Sequence, residues 1–363
     1  MGSSLKVVGA LFSNKEEIDK LNTDLAIKNF YWELQKQMGF KGTILQKIYI
    51  VNKILFSKLW YLSQNFKMDE KNMEKILSKA CSFIYSGENE RPIRPLNFRP
   101  KNKGGLGLIN PLVKAKAFLM KSMMKDFADL DFDRGKINQV HGWNRDFRIV
   151  FEKLGTQTDI KIIYDELLTR FIYRNGSLIP SRNEKNKRGV KWKNAWQNLT
   201  ILRGLNPTET CFAWKLTQDM VEVGRRKHRK GAVRGCGRIG DDSRLCNVLE
   251  TLEHCVMECG VVRKYSLGLI RIIESLIGRT VAEREIVCLS FKCRKLTTLK
   301  VALWFAVKTI HEIFSNRERK PEIWRKVLEE LEWRTKKPFN FGCKDDWEKL
   351  KRLLKFEIEN QRG

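Results

Sequence analysis

The sequence predicts a mainly α-helical, basic protein that begins with one short strand. Apolar residues recur at helical spacing through most of the 363-residue chain. A hydrophobic content of 42% with ten tryptophans indicates folded cores rather than a disordered basic tail. Lysine and arginine number 70 against 42 acidic residues, a formal net charge of +28. The length leaves room for about two or three domains.

The elements follow from hydrophobic spacing and from the positions of proline and glycine. Leu5–Phe12 (LKVVGALF) is predicted as a single strand. Proline favours a helix start at Pro111 and at Pro207. A turn is predicted at Asn175-Gly176, and 181–193 reads as a linker or flexible loop. The predicted helices cover residues 45–62, 72–85, 111–127, 144–154, 160–171, a unit opening at 192, 207–223, 267–276, 298–314, 321–333 and 344–359.

The charge balance favours a polyanionic partner, because neutralising phosphates releases condensed counterions. It argues against a typical enzyme acting on small molecules. The apolar run Val301–Val307 is closed by lysine on both sides, so a membrane role is not expected. The N terminus lacks the pattern of a signal peptide. Nine cysteines without an even framework predict reduced thiols, and therefore a location in the nucleus or cytoplasm.

Four residues able to hold zinc follow one another in the second half of the chain: Cys236, Cys246, His254 and Cys259. Thiolate and imidazole suit tetrahedral zinc, so zinc is the expected cofactor. Cys236 lies far from the other three in sequence, and Asp242 is an alternative first ligand through oxygen. The competing interpretation is that these are scattered core cysteines beside a solvated, charged helix end.

A dense basic run precedes this segment and predicts contact with RNA or DNA. Its predicted nucleic-acid-binding residues are Arg225, Arg226, Lys227, Arg229, Lys230 and Arg234. Two further basic groups are predicted to touch phosphates. The first is on the helix over 45–62 and the second is in the glycine-rich loop RPKNKGGLGL; the residues are Lys47, Lys53, Lys58, Arg99, Lys101 and Lys103.

Each of these basic groups has a structural alternative. The helix over 45–62 equally fits a packed amphipathic helix with a solvated charged face, and Asn52 among its apolar positions fits a buried polar contact. The glycine-rich loop lacks a GK[ST] ending, so its glycines are expected to turn the chain into the helix at Pro111 rather than to cradle a nucleotide.

No set of catalytic residues is visible. Asp241-Asp242 and Asp345-Asp346 lie in polar stretches, whereas a two-metal polymerase site needs carboxylates fixed at a strand end. The four histidines are dispersed, and His311 is expected to be half-buried on a helix. No catalytic residue is therefore assigned.

Several of these segments together resemble one family, the non-LTR (LINE-type) retrotransposon reverse transcriptases. Lys47–Phe66 (KIYIVNKILFSKLWYLSQNF) is similar to the thumb helix of those proteins, and Phe83–Leu108 to the GGLGL-containing patch that comes after it. Phe212–His228 followed by Cys246–Cys259 resembles their C-terminal zinc-binding segment. Val7–Phe12 looks like the last strand region after the palm, and the Leu303–Arg317 helix is similar to the family's region after the zinc segment.

This resemblance implies a helical thumb followed by a helical domain with a small CCHC-type zinc knuckle. The implied divisions are 1–16 (end of a palm-like strand region), 17–128 (thumb-like domain), 129–190 (connector), 191–265 (basic helix and knuckle) and 266–363 (C-terminal helices). The full-length parent would perform RNA-directed DNA synthesis with magnesium. This chain lacks the palm carboxylates, so it is expected to grip template, primer or target without catalysis of its own, alongside a separate catalytic chain if one exists.

The chain departs from the family pattern in two places. The family's first knuckle cysteine would fall near Asp242 or Ser243, and Tyr85-Ser86-Gly87 stands where the family has Trp-Gly. Two other functions stay open at this point. One is a domesticated or truncated RNA- or DNA-binding protein without catalysis. The other is a basic helical scaffold for an acidic protein partner.

Overall fold

In a computed structural model the protein is mainly helical, which confirms the predicted class. It divides into unit 1, residues 1–100 with 105–179, and unit 2, residues 101–104 with 180–363. The structure describes residues 5–7, 10–12, 18–86, 94–129, 153–154, 159–174, 177–181, 184–185, 187, 189–202, 206–221, 236, 238, 246–248, 251–315, 322–335 and 343–360.

The N-terminal segment forms two strands instead of the predicted one. β1 (Leu5–Val7) and β2 (Ala10–Phe12) pair antiparallel, with Leu5 opposite Phe12. The apolar run reads as continuous, but Gly9 within it is a turn signal that hydrophobic periodicity does not register.

The remaining elements of unit 1 are seven helices and a second short hairpin among the described residues. They are α1 (Ile18–Gln37), α2 (Ile44–Ile50), a π-helical turn (Val51–Leu55), α3 (Ser57–Ser63), α4 (Glu70–Tyr85), α5 (Arg94–Phe98), α6 (Pro111–Asp129), α7 (Ile160–Ile172), β3 (Tyr173–Arg174) and β4 (Ser177–Leu178). Helices α1, α3, α4 and α6 pack around a core that includes Phe30, Phe56 and Met120.

Polar caps explain where several of these helices begin. Thr43 and Gln46 form a capping box at the start of α2, since each side chain accepts a hydrogen bond from the other's backbone N–H. The Asp69 carboxylate accepts from the N–H of Asn72 at 2.8 Å and starts α4. Asp159 caps α7 in the same way.

The longer elements of unit 2 among the described residues are helices. They are α8 (Trp192–Ile201), α9 (Pro207–Thr217), a π-helical turn (His254–Glu258), α10 (Arg263–Ile277), α11 (Glu283–Val287), α12 (Leu296–Ser315), α13 (Ile323–Thr335) and α14 (Lys344–Asn360). Helix α12 is the centre of the core, and its Phe305 ring stacks on Trp324 with centroids 5.9 Å apart.

The predicted helices agree with the structure except at a few places. Residues 45–62 form α2, the first π-turn and α3, while α1, α5 and α11 had no counterpart among the predicted helices. The helix predicted to reach residue 223 ends at Thr217, because Asp219 adopts a left-handed φ of 54°. Residues 144–152 of a predicted helix and the Asn175-Gly176 turn lie outside the described residues. The five-part division stays a prediction.

None of the nine cysteines forms a disulfide. Among the described residues, no helix combines the length and the apolar composition needed to cross a membrane.

Candidate metal centre and basic helix face

The four predicted metal ligands, Cys236, Cys246, His254 and Cys259, come together in unit 2. Their ligand atoms all lie within 4.8 Å of one another, so the cluster could hold a metal ion. Sγ of Cys236 is 3.7 Å from Sγ of Cys259, and Sγ of Cys246 is 3.4 Å from Nε2 of His254. Tetrahedral zinc with its usual bond lengths would separate two sulfurs by about 3.8 Å and a sulfur from a nitrogen by about 3.6 Å. These two distances are close to the values that a tetrahedral ion requires.

The first two ligands are positioned by backbone pairing. The N–H of Cys236 donates to the carbonyl of Val248 at 2.9 Å, and the N–H of Cys246 donates to the carbonyl of Arg238 at 2.8 Å. The two bonds pair the backbone at 236–238 with that at 246–248 in an antiparallel register. This pairing explains how Cys236 reaches the cluster despite its distance in sequence. Asp242, the alternative first ligand, lies outside the described residues.

The other two ligands are positioned by the second π-turn. His254 is its first residue, and Cys259 follows its last. The N–H of Cys259 donates to the carbonyl of His254 at 2.8 Å, which spans one residue more than an α-helical bond. The N–H of His254 donates to Oγ1 of Thr251 at 3.0 Å. The wide turn thus brings two candidate ligands five positions apart into the same cluster.

Cys255 is buried but does not belong to the cluster. Three of the cluster residues are buried, and Cys246 is half-buried. Four protein ligands in a closed, largely buried site leave no coordination position for water or substrate. The arrangement therefore suits a structural metal rather than a catalytic one.

A buried arginine that sequence reasoning missed lies beside the cluster. Arg238 is only 2% exposed, and its guanidinium donates to the carbonyls of Cys255 at 2.9 Å and of Ile313 at 3.0 Å. Residues two apart on an extended strand share a face, so its position two residues after Cys236 was the available signal. Three thiolates, one neutral imidazole and a divalent ion carry a net charge of −1, which this guanidinium offsets.

The thiols of Cys236 and Cys259 lie within hydrogen-bond distance of each other. A hydrogen bond from Cys236, together with Arg238, lowers the pKa of Cys259 to about 4. The same hydrogen bond and burial raise the pKa of Cys236 above its ordinary value. The hydrogen bond therefore favours the thiolate form of Cys259, which is the form in which cysteine binds metal.

The predicted basic helix of unit 1 presents a continuous exposed face. Lys53 and Lys58 are exposed, and they lie with Tyr49 and Tyr61, which are 63% and 39% exposed. The N–H of Phe56 donates to the carbonyl of Val51 at 2.9 Å, closing the first π-turn in the middle of this helix. The four exposed residues, Tyr49, Lys53, Lys58 and Tyr61, are defined as the α2–α3 face.

That π-turn keeps Tyr49, Lys53 and Tyr61 on one side of the helix. Tyr49, Lys53, Ser57 and Tyr61 follow one another in steps of four. In an uninterrupted α-helix, such steps drift by about 40° each and would separate the first residue from the last by about 120°. A π-turn holds more residues per turn and takes up much of this drift. The exposed face is thus a product of the wide turn.

Two of the predicted phosphate contacts are buried and point into the protein. Lys47 is 7% exposed; its Nζ donates to Oγ of Ser86 and lies 5.4 Å from the Phe83 ring centroid. Arg99 is 1% exposed, and its guanidinium donates to the carbonyl of Ile179. Their role as surface contacts is therefore corrected to a structural one. Hydrophobic spacing could not reveal this, because a long cationic side chain buries its stem along apolar surface.

Asn52 makes the buried polar contact that its position predicts. Its amide donates to the carbonyl of Gly107 and its carbonyl oxygen accepts from the N–H of Ile109, both at 2.9 Å. The glycine-rich segment is thus tied to the α2–α3 helix by two bonds. At Gly105 an added Cβ would lie 1.9 Å from the carbonyl oxygen of Arg99, so this glycine is required for close backbone approach rather than for a nucleotide.

The other predicted basic residues divide between exposed and undescribed positions. Lys101 and Lys103 are exposed on a short 3₁₀ turn, Lys101–Lys103. Arg225, Arg226, Lys227, Arg229, Lys230 and Arg234 lie outside the described residues.

No catalytic set emerges from the described residues. Oδ1 of Asp346 accepts from Thr298 at 3.0 Å, and Asp345 is exposed. His311 is half-buried on α12, as predicted, with its ring 4.9 Å from that of Phe212.

No family model matches the chain, and no curated protein matches it either.

Proposed function

We propose that this protein binds single-stranded nucleic acid through exposed basic helix faces and that zinc stabilises its second unit. The proposal includes kinship with the thumb and zinc-binding region of non-LTR retrotransposon reverse transcriptases. In that family such a region grips template RNA, primer or target DNA. No catalytic step is assigned to the described residues.

The observation that carries the nucleic-acid function is the α2–α3 face. Two exposed lysines, Lys53 and Lys58, lie between two accessible tyrosine rings, Tyr49 and Tyr61, and single-strand-binding surfaces combine the same two residue types. The lysines neutralise phosphates and release counterions, while the rings offer stacking platforms to bases of any sequence. The net charge of +28 extends the same preference for a polyanion over the whole chain.

Zinc is the metal proposed for the Cys236–Cys246–His254–Cys259 cluster. Soft thiolates with one imidazole in tetrahedral spacing suit zinc rather than magnesium or calcium, which take oxygen ligands. The closed coordination assigns the ion a folding role. The basic run 225–234 directly precedes this segment in sequence, so a zinc-ordered core is proposed to support its contact with RNA or DNA.

The nucleic-acid function is tested by reversing charge on the α2–α3 face. Lys53→Glu/Lys58→Glu should weaken binding to a fluorescein-labelled single-stranded RNA and lower the salt slope by about 1.4, at about 0.7 for each lost phosphate contact. Fluorescence anisotropy at several salt concentrations measures both. Because both side chains are exposed, the thermal unfolding midpoint should stay unchanged.

The matched control is Arg352→Glu/Lys355→Glu, the same charge change at two exposed positions on α14. Equal losses in both variants would mean that overall charge rather than this face determines binding. Binding of polyglutamate in preference to RNA would instead favour the acidic-protein scaffold and defeat the proposal.

A further inference from the structure

Helix α8 in unit 2 is held between two segments that are distant in sequence, and both carry exposed cations. One is the Lys101–Lys103 turn, which packs against α8. The other is the stretch 289–295 between α11 and α12. Both attachments are made by specific contacts, so the placement of the cations is built into the fold.

The turn is fastened to one side of α8 through Gly104. An added Cβ at Gly104 would lie 2.5 Å from the Trp196 ring, so the backbone lies directly on the indole. The carbonyl of Gly104 accepts from Nε1 of Trp214 at 3.2 Å and from the amide of Gln218 at 3.0 Å. Lys101 and Lys103 are exposed just before this anchor.

The 289–295 stretch is fastened to the other side through two asparagines. The amide of Asn198 donates to the carbonyls of Leu289 at 2.7 Å and Phe291 at 2.9 Å, and that of Asn194 donates to Ser290 at 3.3 Å. The exposed residues that follow this anchor include Lys292, Arg294 and Lys295.

Helical geometry places the exposed ridge of α8 between the two anchors. Trp192 and Trp196 share one side, and Asn194 and Asn198 share a side about 160° away around the axis. Lys193, Gln197 and Thr200 lie between them and are exposed. Lys193 therefore stands on a ridge with cationic segments on both flanks. We call Lys101, Lys103, Lys191, Lys193, Lys292, Arg294 and Lys295, with Trp192, the α8 surface.

An aromatic ring borders the same cations. Trp192 is half-buried and stacks on Trp196, with centroids 5.2 Å apart and ring planes at 23°. Trp196 itself is fixed, because its Nε1 donates to Glu184 at 3.2 Å. A rigid pair of indoles whose outer member is partly accessible can accept an unpaired base. The carboxylate of Glu184 accepts hydrogen bonds from Trp196 and from the backbone N–H of Ser181.

We propose that the α8 surface is a second binding site for single-stranded nucleic acid, with phosphates on the lysines and arginine and a base against Trp192. This inference rests on the proposed function and adds a site in unit 2 that does not include any metal ligand. Unpaired strands are favoured over duplex because the indole needs a base face that pairing and stacking would hide.

The test uses the full chain with a fluorescein-labelled single-stranded RNA of about 20 nucleotides and a DNA of the same sequence. Lys193→Glu/Lys292→Glu/Arg294→Glu should lower affinity at least tenfold and reduce the salt slope by about 2, at about 0.7 per contact. The control Lys344→Glu/Arg352→Glu/Lys355→Glu carries the same charge change on α14. Lys→Gln and Arg→Gln versions replace any variant whose circular dichroism shows unfolding.

A second variant separates stacking from charge. Trp192→Leu should weaken RNA binding about fivefold while leaving the affinity for inorganic polyphosphate, which has no bases, unchanged. If wild-type protein binds RNA but the α8 triple variant matches its α14 control, this inference is overturned and the proposed function stands. If wild-type protein binds neither RNA nor DNA, both are overturned. Equal loss of RNA and polyphosphate binding in Trp192→Leu overturns the stacking role.

Discussion

Both candidate sites contain a π-helical turn, and the two turns serve opposite purposes. Val51–Leu55 lies within a nearly continuous helix and aligns side chains that face solvent. His254–Glu258 ends at Cys259 and brings two ligands together in a buried cluster. One insertion of the same kind thus produces an open face in unit 1 and a closed centre in unit 2.

The difference shows which interactions each site depends on. The α2–α3 face needs only a helix whose apolar side is packed, as Leu55, Phe56 and Leu59 are fully buried beneath it. The metal centre needs the paired backbone around Cys236 and Cys246 and the π-turn that carries His254 and Cys259. It also needs an ion to hold these two segments together. A helix supported by its own core persists without a ligand, whereas a small loop closed by metal depends on metal binding for its folding free energy. The two regions should therefore respond differently to loss of a ligand.

Removing a metal ligand should produce the largest difference between the metal centre and the α2–α3 face. His254→Ala should abolish the one bound zinc measured by mass spectrometry of the purified protein. Structural zinc contributes about 10–16 kcal/mol of apparent binding free energy, so a variant that no longer binds the ion should lose stabilisation of that order and leave the metal segment unfolded. Hydrogen exchange should accelerate over residues 251–277 and stay unchanged over α2 and α3.

The control is Cys255→Ala, which alters the neighbouring buried thiol without touching the cluster. It should retain zinc. Wild-type protein that contains no zinc after purification with zinc supplied, and whose melting is insensitive to a chelator, would show that the cluster is only a group of packed cysteines. Faster exchange over α2 and α3 in His254→Ala would show that the two regions are not independent.

Changing the buried guanidinium should have the next largest effect. Arg238→Met removes the positive charge beside the thiolates and leaves the carbonyls of Cys255 and Ile313 without this donor. Removing one member of a buried charge pair costs about 3 kcal/mol. Loss of a supporting group behind metal ligands typically lowers affinity about 10- to 100-fold. Competition with a chromophoric zinc chelator measures the second quantity.

Arg238→Lys separates charge from packing, since it keeps the positive charge but cannot reach both carbonyls with one planar group. Zinc affinity should be partly restored, while the unfolding free energy remains lowered. Equal zinc affinity in wild type and Arg238→Met would remove the charge-offsetting role.

The sequence predicted the helical class and the members of the metal cluster, because both leave local signals. Spacing identified the helices around Leu59 and Trp304, and residue type identified His254 and Cys259 as candidate ligands. Cys236 was the uncertain member, since its approach depends on the pairing of its N–H with the carbonyl of Val248, a contact that no local pattern encodes.

The direction in which long cationic side chains point could not be predicted from the sequence. Arg99 and Lys47 look like surface cations in sequence, yet both are buried on carbonyl or hydroxyl acceptors. Arg238 is the opposite case, as nothing about its residue type alone marks it as a partner of the cluster. The sequence indicated Lys101 and Lys103 as nucleic-acid contacts but not the rest of the α8 surface, because the segments that carry Lys101 and Lys292 are attached to α8 only through tertiary contacts. In each case, contacts between residues distant in sequence determine where the cationic side chain lies, and local helix propensity does not.

Removing one ring from the α2–α3 face should have the smallest effect and sharpens the contrast with the metal centre. Tyr49→Ala should weaken single-stranded RNA binding by about 1 kcal/mol, roughly fivefold, because one base loses its stacking platform. Tyr49→Phe should bind like wild type, since stacking needs the ring and not the hydroxyl. Zinc content and the thermal midpoint should not change in either variant, because the side chain is 63% exposed. The matched control is Phe356→Ala, which removes a ring that is 60% exposed on α14. If the two alanine variants lose the same RNA affinity, base stacking is not localised on the α2–α3 face, and its lysines alone would account for binding there.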